Sequence, residues 1–449
     1  MSDAFGATMT HPVRPIDLLI EARWIVPVEP AGKVLENHAV AIDDGRIVAV
    51  VPQGFAAAHY AAKTRCVLAQ HLLIPGLVNL HTHAAMSLLR GLANDLPLMD
   101  WLQKHIWPAE AEHVSAKFVR DGTALACAEM LRSGITCFND MYFFPQAAAE
   151  AAVAAGMRAA IGLITVEFAS AYAADADDYL SKGLAVRDLL LDEPLLSFCL
   201  APHAPYTVED GSFARVLTLA EQIDLPIHLH IHETGHEIDE GRQRYGIRPI
   251  ERLRRLGLLS PALIGVHAVH LETHEIDLLA EHGCSVAHCP SSNLKLASGI
   301  APIAALAESG VNLGLGTDGA ASNNRLDILQ EMRLAALLAK AQSARADALD
   351  AHRVLEMATL AGARALALDS VIGSIVPGKF ADLTALRIDD PTLMPCYDPV
   401  SHLVYCLGRE HVSAVWVAGQ QRVKDGQLIE NNENDMVRLA TLWQNKIRP

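Results

Sequence analysis

The sequence predicts an α/β protein: a (β/α)8 TIM barrel with a small β-sandwich domain formed by the two chain ends. Three observations carry that expectation. Eight short apolar, β-rich runs begin near Leu73, Ile135, Arg158, Leu196, Ile227, Leu263, Cys284 and Val311. Alanine- and leucine-rich stretches separate them, and strand–helix alternation of this kind implies a parallel sheet that eight repeats can close into a barrel. The chain ends read instead as strands and turns, and neither end offers enough strands to bury a face alone.

In chain order, residues 16–28 are apolar with polar interruptions. Residues 39–42 and 47–51 flank Asp43-Asp44-Gly45-Arg46, a hairpin turn. The first barrel strand is expected inside the apolar run 72–80. Helices are expected at 116–132, 145–155, 213–222, 250–256, 275–281 and 303–308. The long gap between the first two strands leaves 94–113 as an excursion near the barrel mouth. Residues 381–386 and 412–417 are strand-like, and Gly419 and Asp425-Gly426 mark turns. The expected division is 1–70 plus 374–449 for the sandwich and 71–373 for the barrel.

The bulk numbers exclude several classes. The 449 residues are 51% hydrophobic but only 5% aromatic, which suits a large helix-rich protein with ample core. A net charge of −16 argues against binding nucleic acid non-specifically. No stretch approaches the ~18 uninterrupted apolar residues of a membrane span. Residues 1–15 lack the basic-then-apolar pattern of a secretion signal. The eight cysteines are scattered without a C-x-x-C pair, so free thiols and a cytoplasmic location are expected.

Chemistry gathers at the strand ends. His81-Thr82-His83 closes the first run, and residues two apart on a strand face the same way. The fifth run, Ile227-His228-Leu229-His230-Ile231-His232, is followed at once by Glu233. The sixth ends in His267, and the eighth leads into Asp318-Gly319. Such residues recurring at one end of a barrel converge on one point. Three nitrogens and one oxygen, from His81, His83, His230 and Asp318, suit a divalent metal. Zn2+ is the expected ion, with Fe2+ or Mn2+ as alternatives. It would lower the pKa of bound water to about 7. His228, His230 and His232 share one face; His230 is favoured because Glu233 follows it by three, and the other two are read as packing or supporting residues. Glu233 is read as a proton carrier beside the metal, or as a solvated turn. Asp318 could instead open a turn, and His267 and His203 could be satisfied core histidines. Two metals would need a bridging lysine or carboxylate at the end of the fourth run, which reads Cys199-Leu200-Ala201-Pro202-His203. One ion is therefore expected.

Longer motifs carry a resemblance. Pro75-Gly76-Leu77-Val78-Asn79-Leu80-His81-Thr82-His83 and Gly373-Ser374-Ile375-Val376-Pro377-Gly378-Lys379-Phe380-Ala381-Asp382-Leu383 resemble signatures of the amidohydrolase superfamily. Arg90-Gly91-Leu92-Ala93-Asn94-Asp95-Leu96-Pro97-Leu98-Met99-Asp100-Trp101-Leu102, Trp107-Pro108-Ala109-Glu110, His230-Ile231-His232-Glu233-Thr234 and His288-Cys289-Pro290-Ser291-Ser292-Asn293-Leu294-Lys295-Leu296 are similar to the 5′-methylthioadenosine/S-adenosylhomocysteine deaminases. The match covers nearly the whole chain. The resemblance implies hydrolytic deamination of an adenosine-type nucleoside, in a homo-oligomer (dimer or tetramer). It implies zinc on His81, His83, His230 and Asp318, ribose contact from Glu110, and substrate contact from His203 and Glu233. Glu233 would protonate ring N1, His267 would orient the attacking water, and Asp318 would accept its proton. Met86, Leu88, Leu92 and Trp101 are read as apolar wall for the methylthio group or as core. No arginine after the third strand can be assigned to substrate. The alternatives are a deaminase of guanine, 8-oxoguanine or a triazine, and a non-enzymatic metal-binding scaffold. The H-x-E and P-C-x-x-C signature of the small zinc deaminases is absent.

Overall fold

The computed structural model describes residues 13–430 and 433–448. The stretch 1–15, read above for a secretion signal, lies outside them as far as residue 12. The chain opens with β1 (Arg14–Ile25), β2 (Leu35–Asp43), β3 (Arg46–Pro52) and β4 (Tyr60–Pro75). Eight shorter strands follow: β5 (Leu77–Thr82), β6 (Ile135–Tyr142), β7 (Arg158–Thr165), β8 (Leu196–Pro202), β9 (Ile227–Ile231), β10 (Leu263–His267), β11 (Ser285–His288) and β12 (Asn312–Leu315). The chain closes with β13 (Leu383–Arg387), β14 (Val412–Val417), β15 (Gln420–Lys424), β16 (Gln427–Leu428) and the helix Glu433–Ile447.

Strands β5 to β12 stand side by side in chain order, each parallel to the next. The ring closes just past β12. The backbone N–H groups of Thr317 and Asp318 donate to the His81 carbonyl at 3.1 and 3.0 Å. Asn79 Oδ1 accepts a further bond from Thr317 N at 2.9 Å. The barrel expected from eight apolar runs is thus present, and it draws the Asp318 backbone against His81.

The chain ends share a second sheet, in the order β16-β15-β14-β13-β4-β1-β2-β3. It curls over one core that takes Ile42 and Ile47 from one end and Ala414 and Trp416 from the other. The two hairpin turns meet where Gly45 N–Cα–C passes Ala418; a Cβ on Gly45 would lie 2.6 Å from the Ala418 carbonyl oxygen. The sandwich is therefore one sheet folded upon itself. It grips the barrel at the amino ends of the barrel strands. Arg158, the first residue of β7, pairs with Asp382 at 3.0 Å with both side chains buried. Thr384 Oγ1 donates to Gly134 O, and Gly76 N–H donates to Asp382 O. The carboxyl ends of the barrel strands, where barrel chemistry resides, are left clear.

One expectation changes. The apolar run 72–80 is two strands rather than one. Leu72, Leu73 and Ile74 pair with β13 in the second sheet, and β5 begins only at Leu77. Gly76 is the corner, since a Cβ there would stand 2.1 Å from Thr136 Oγ1. All these apolar side chains are fully buried, so hydropathy shows no break. The excursion before β6 folds into helical turns at Leu98–Trp101, Leu102–Ile106 and Trp107–His113 that bury Leu98, Trp101 and Ile106. No helix among the described residues is long and apolar enough to cross a membrane.

Candidate active site and metal centre

The strand ends bring five donors together. His81 and His83 leave β5, His230 sits on β9, His267 ends β10, and Asp318 follows β12. Asp318 Oδ1 lies 3.4 Å from both His81 Nε2 and His83 Nε2. His230 Nε2 lies 3.3 Å from His81 Nε2. These spacings match the ~3.3 Å edge of a tetrahedron with bonds of ~2.0–2.1 Å, the dimension of a zinc-type site. His267 crowds the same point: one nitrogen each of His81, His230 and His267 fall within 4.8 Å of one another.

The supporting bonds aim the rings. His83 Nδ1–H donates to Met141 O at 2.6 Å, and His230 Nδ1–H donates to His203 O at 2.7 Å. A proton on Nδ1 leaves each Nε2 lone pair facing the cluster. His81 Nδ1 pairs with His228 Nε2 at 2.9 Å. His228 is thus a support for His81, while His232 turns away to bond His270 O and the Ile250 N–H. Burial lowers the His81 pKa to about 4 and that of His203 to about 3, so both rings favour the neutral form. Burial works against the Asp318 carboxylate. The hydrogen bond from His81 and the nearby imidazoles nevertheless hold its pKa well below the usual range. Ser292 and Ser322 hydroxyls donate to its Oδ2 at 2.6 and 2.8 Å.

A cavity of about 790 Å³ opens over this cluster. His83, His203, His230, Glu233, His267 and Asp318 line it, as do Glu110 and Trp101 from the excursion. His81 lies beneath, fully buried. Glu233 Oε1 stands 3.9 Å from His267 Nε2. Burial pushes its pKa up, with His267 opposing. Met86, a core residue, also faces the cavity, whereas Leu88 and Leu92 are half-buried and pack against the core without lining the cavity. Arg158 belongs to the domain junction, and Arg244 is the cavity's single Arg or Lys.

The sequence reading passed over several contributors. Tyr142 ends β6 and donates to Glu110 Oε1 at 2.5 Å. Burial raises the Glu110 pKa to about 6. Asn293 Oδ1 pairs with His267 Nδ1 at 2.8 Å. The available signals were Tyr142 at a strand's carboxyl end and the Ser291-Ser292-Asn293 run, a stretch of small polar residues directly after a strand-end histidine.

An eight-stranded parallel barrel that gathers imidazoles and a carboxylate beneath an open cavity defines a metal-dependent barrel enzyme. Residues 72–422 match the Amidohydrolase family, and the chain belongs to it. It is 46% identical over 432 residues to a 5-methylthioadenosine/S-adenosylhomocysteine deaminase of Teredinibacter turnerae, covering 96% of this chain and 98% of that one. It is 43% identical to a 5′-deoxyadenosine deaminase of Methanothermobacter thermautotrophicus, over 82% of this chain and 86% of the relative. Among solved structures, an adenosine deaminase from Xanthomonas campestris with bound zinc superposes with a TM-score of 0.96. Its identity is 49%, over 97% of this chain and 100% of that one.

Proposed function

We propose that this chain hydrolytically deaminates the adenine ring of 5′-methylthioadenosine to 5′-methylthioinosine and ammonia, with S-adenosylhomocysteine and adenosine as further candidate substrates. The observation that carries this reading is a pair of carboxyls, the buried Glu233 and the half-buried Glu110, in the one cavity above the histidine–aspartate cluster. A ring deaminase needs the first, and only a nucleoside offers ribose hydroxyls to the second beside its Tyr142 bond. The relatives' names support the same substrate class. His81, His83, His230 and Asp318 would hold one divalent ion, Zn2+ by preference. When bound, the ion supplies the Lewis acidity that makes water a nucleophile at neutral pH.

The chain's own residues do the rest. Glu233, favoured in its protonated form by burial, delivers a proton to ring N1 and makes C6 electrophilic. His267, its Nδ1 fixed by Asn293, holds the attacking oxygen in line through Nε2. Asp318 takes a proton as the C6–O bond forms. Collapse breaks the C6–N6 bond as Asp318 passes its proton to the departing amine, releasing ammonia, and the C6 hydroxyl proton returns to Glu233 as the carbonyl forms. Glu110, oriented by Tyr142, accepts from the ribose hydroxyls, and His203 contacts the substrate beside His230. Trp101 and Met86 supply apolar wall. Eight free cysteines fit a reducing, cytoplasmic setting.

Glu233→Gln tests the reading. Turnover, followed by loss of adenine absorbance, should fall ~10²–10⁴-fold while metal content stays that of the wild type. Full turnover in that variant would remove the mechanism. Glu110→Ala should raise KM for nucleosides. A guanine or triazine activity indifferent to that change would favour a free-base deaminase instead.

A further inference from the structure

Four residues beyond Glu233 a second carboxyl is buried where neither substrate nor metal reaches it. Glu237 is 2% exposed, lies in the first turn of the helix Gly235–Tyr245, and does not line the cavity. Its Oε1 accepts the backbone N–H of His232 at 2.8 Å, and its Oε2 accepts that of Glu233 at 2.9 Å. The nearby Arg248 is committed to Glu272 and Glu275. Glu237 is itself anchored, since its own N–H donates to the Thr234 hydroxyl that caps the helix.

The two peptide groups it holds form the corner between β9 and the helix. His232 has a φ of 51°, a left-handed conformation that a non-glycine residue keeps only when its surroundings impose it. That corner swings Glu233 over the cavity beside His230 and sends the His232 ring outward to His270 and Ile250. The Glu233 side chain has little else to fix it: its nearest ionisable partner among the described residues is His267 Nε2 at 3.9 Å. The place of its carboxyl therefore depends on the backbone beneath it.

We propose that Glu237 is a positioning residue for the proton transfer. By accepting from two successive peptide N–H groups it sets where the Glu233 carboxyl stands relative to His267 and the substrate ring. The idea rests on Glu233 being the proton carrier, as argued above. A displacement of about 1 Å at such a group can cost ~10²-fold in rate without touching substrate binding.

The test uses the metal-loaded, full-length enzyme with 5′-methylthioadenosine. Glu237→Gln keeps the size but offers one acceptor oxygen and turns an NH2 group toward a peptide N–H. Its kcat should fall roughly 10²-fold, with KM within about two-fold and metal content unchanged. Because both residues act on one proton, Glu233→Gln/Glu237→Gln should be no slower than Glu233→Gln alone. An unchanged kcat, effects that multiply in the double variant, or a loss that tracks missing metal would each overturn the proposal. If Glu237→Gln does not fold, Glu237→Asp, which keeps both carboxyl oxygens on a shorter arm, takes its place in the same measurements. Failure of both to fold would assign the residue to the scaffold and also overturn it. A wild type inactive on every adenosine-type nucleoside, or a fully active Glu233→Gln, sinks the reading of the site together with this one. An active, Glu233-dependent enzyme indifferent to Glu237→Gln sinks only the positioning role.

Discussion

Of the carboxyls that line the cavity, Asp318, Glu233 and Glu110 are pushed by their surroundings to different protonation states. Asp318 receives hydroxyl donors from Ser292 and Ser322 and a backbone donor from Gly319 at 2.7 Å, so its charge is compensated on every side. Glu233 has no such donors to its carboxyl, and burial favours its neutral form. Divergence of this kind separates an acid from a base within one site. Glu110 lies between, with a pKa of about 6 set by burial against the Tyr142 hydrogen bond. Because that value is above the ordinary 4.5, the carboxylate form that would accept both ribose hydroxyls in the proposed role exists only at higher pH. Below it, one oxygen becomes a donor and a ribose bond is lost. KM for 5′-methylthioadenosine should therefore rise as pH falls through about 6, and Glu110→Gln should flatten the profile. A wild-type KM that is level across that window would detach Glu110 from the ribose.

At the scale of elements, the barrel seam is tightly closed. A Cβ on Gly316, just past β12, would meet His81 Cβ at 2.8 Å, Cys289 Sγ at 2.9 Å and His81 N at 3.0 Å. Gly316→Ala must therefore push β5 away, and with it a candidate metal ligand. We expect metal affinity, measured by chelator competition, to drop ~10-fold or more, the scale seen when a ligand's support is disturbed. Gly211→Ala, whose Cβ would meet nothing within 4 Å, should leave it unchanged. Equal affinities would mean that β5 and β12 part without strain. The strands themselves were legible. Ile135, Arg158, Leu196, Ile227 and Leu263 begin strands where the apolar runs begin, because parallel strands buried on both faces read as continuous hydrophobic segments. The helix Gly235–Tyr245 was not legible, since it buries only Glu237 and Ile238 and shows no apolar stripe. The strand-end histidines announced the cluster through spacing. The partners that aim them were silent: Tyr142 reaches Glu110 across 32 residues and His228 reaches His81 across 147, pairings that only barrel closure creates.

At the scale of the molecule, the −16 net charge reaches the cavity mouth. Glu167, Glu209 and Glu240 line it, while Arg244, its single Lys or Arg, is paired with Glu209 at 3.3 Å. Between them stand Trp107, 37% exposed, and Phe168, 49% exposed, which offer apolar contact to an uncharged 5′ substituent. In the proposed mode, with adenine over the histidine cluster and ribose at Glu110, the 5′ position would point toward this rim. Like charges brought together without a compensating cation cost several kcal/mol. A nucleoside carrying a 5′-phosphate should thus have kcat/KM at least ~10-fold below that of 5′-methylthioadenosine at low ionic strength. The gap should narrow as salt shortens the screening length from ~10 Å at 0.1 M toward ~3 Å at 1 M, because the penalty is long-range rather than steric. Steady-state rates on both nucleosides across a salt series decide the matter. A gap that salt leaves untouched would trace the discrimination to shape, and a 5′-phosphate accepted as readily as the methylthio group would show that the acidic rim does not face the substrate.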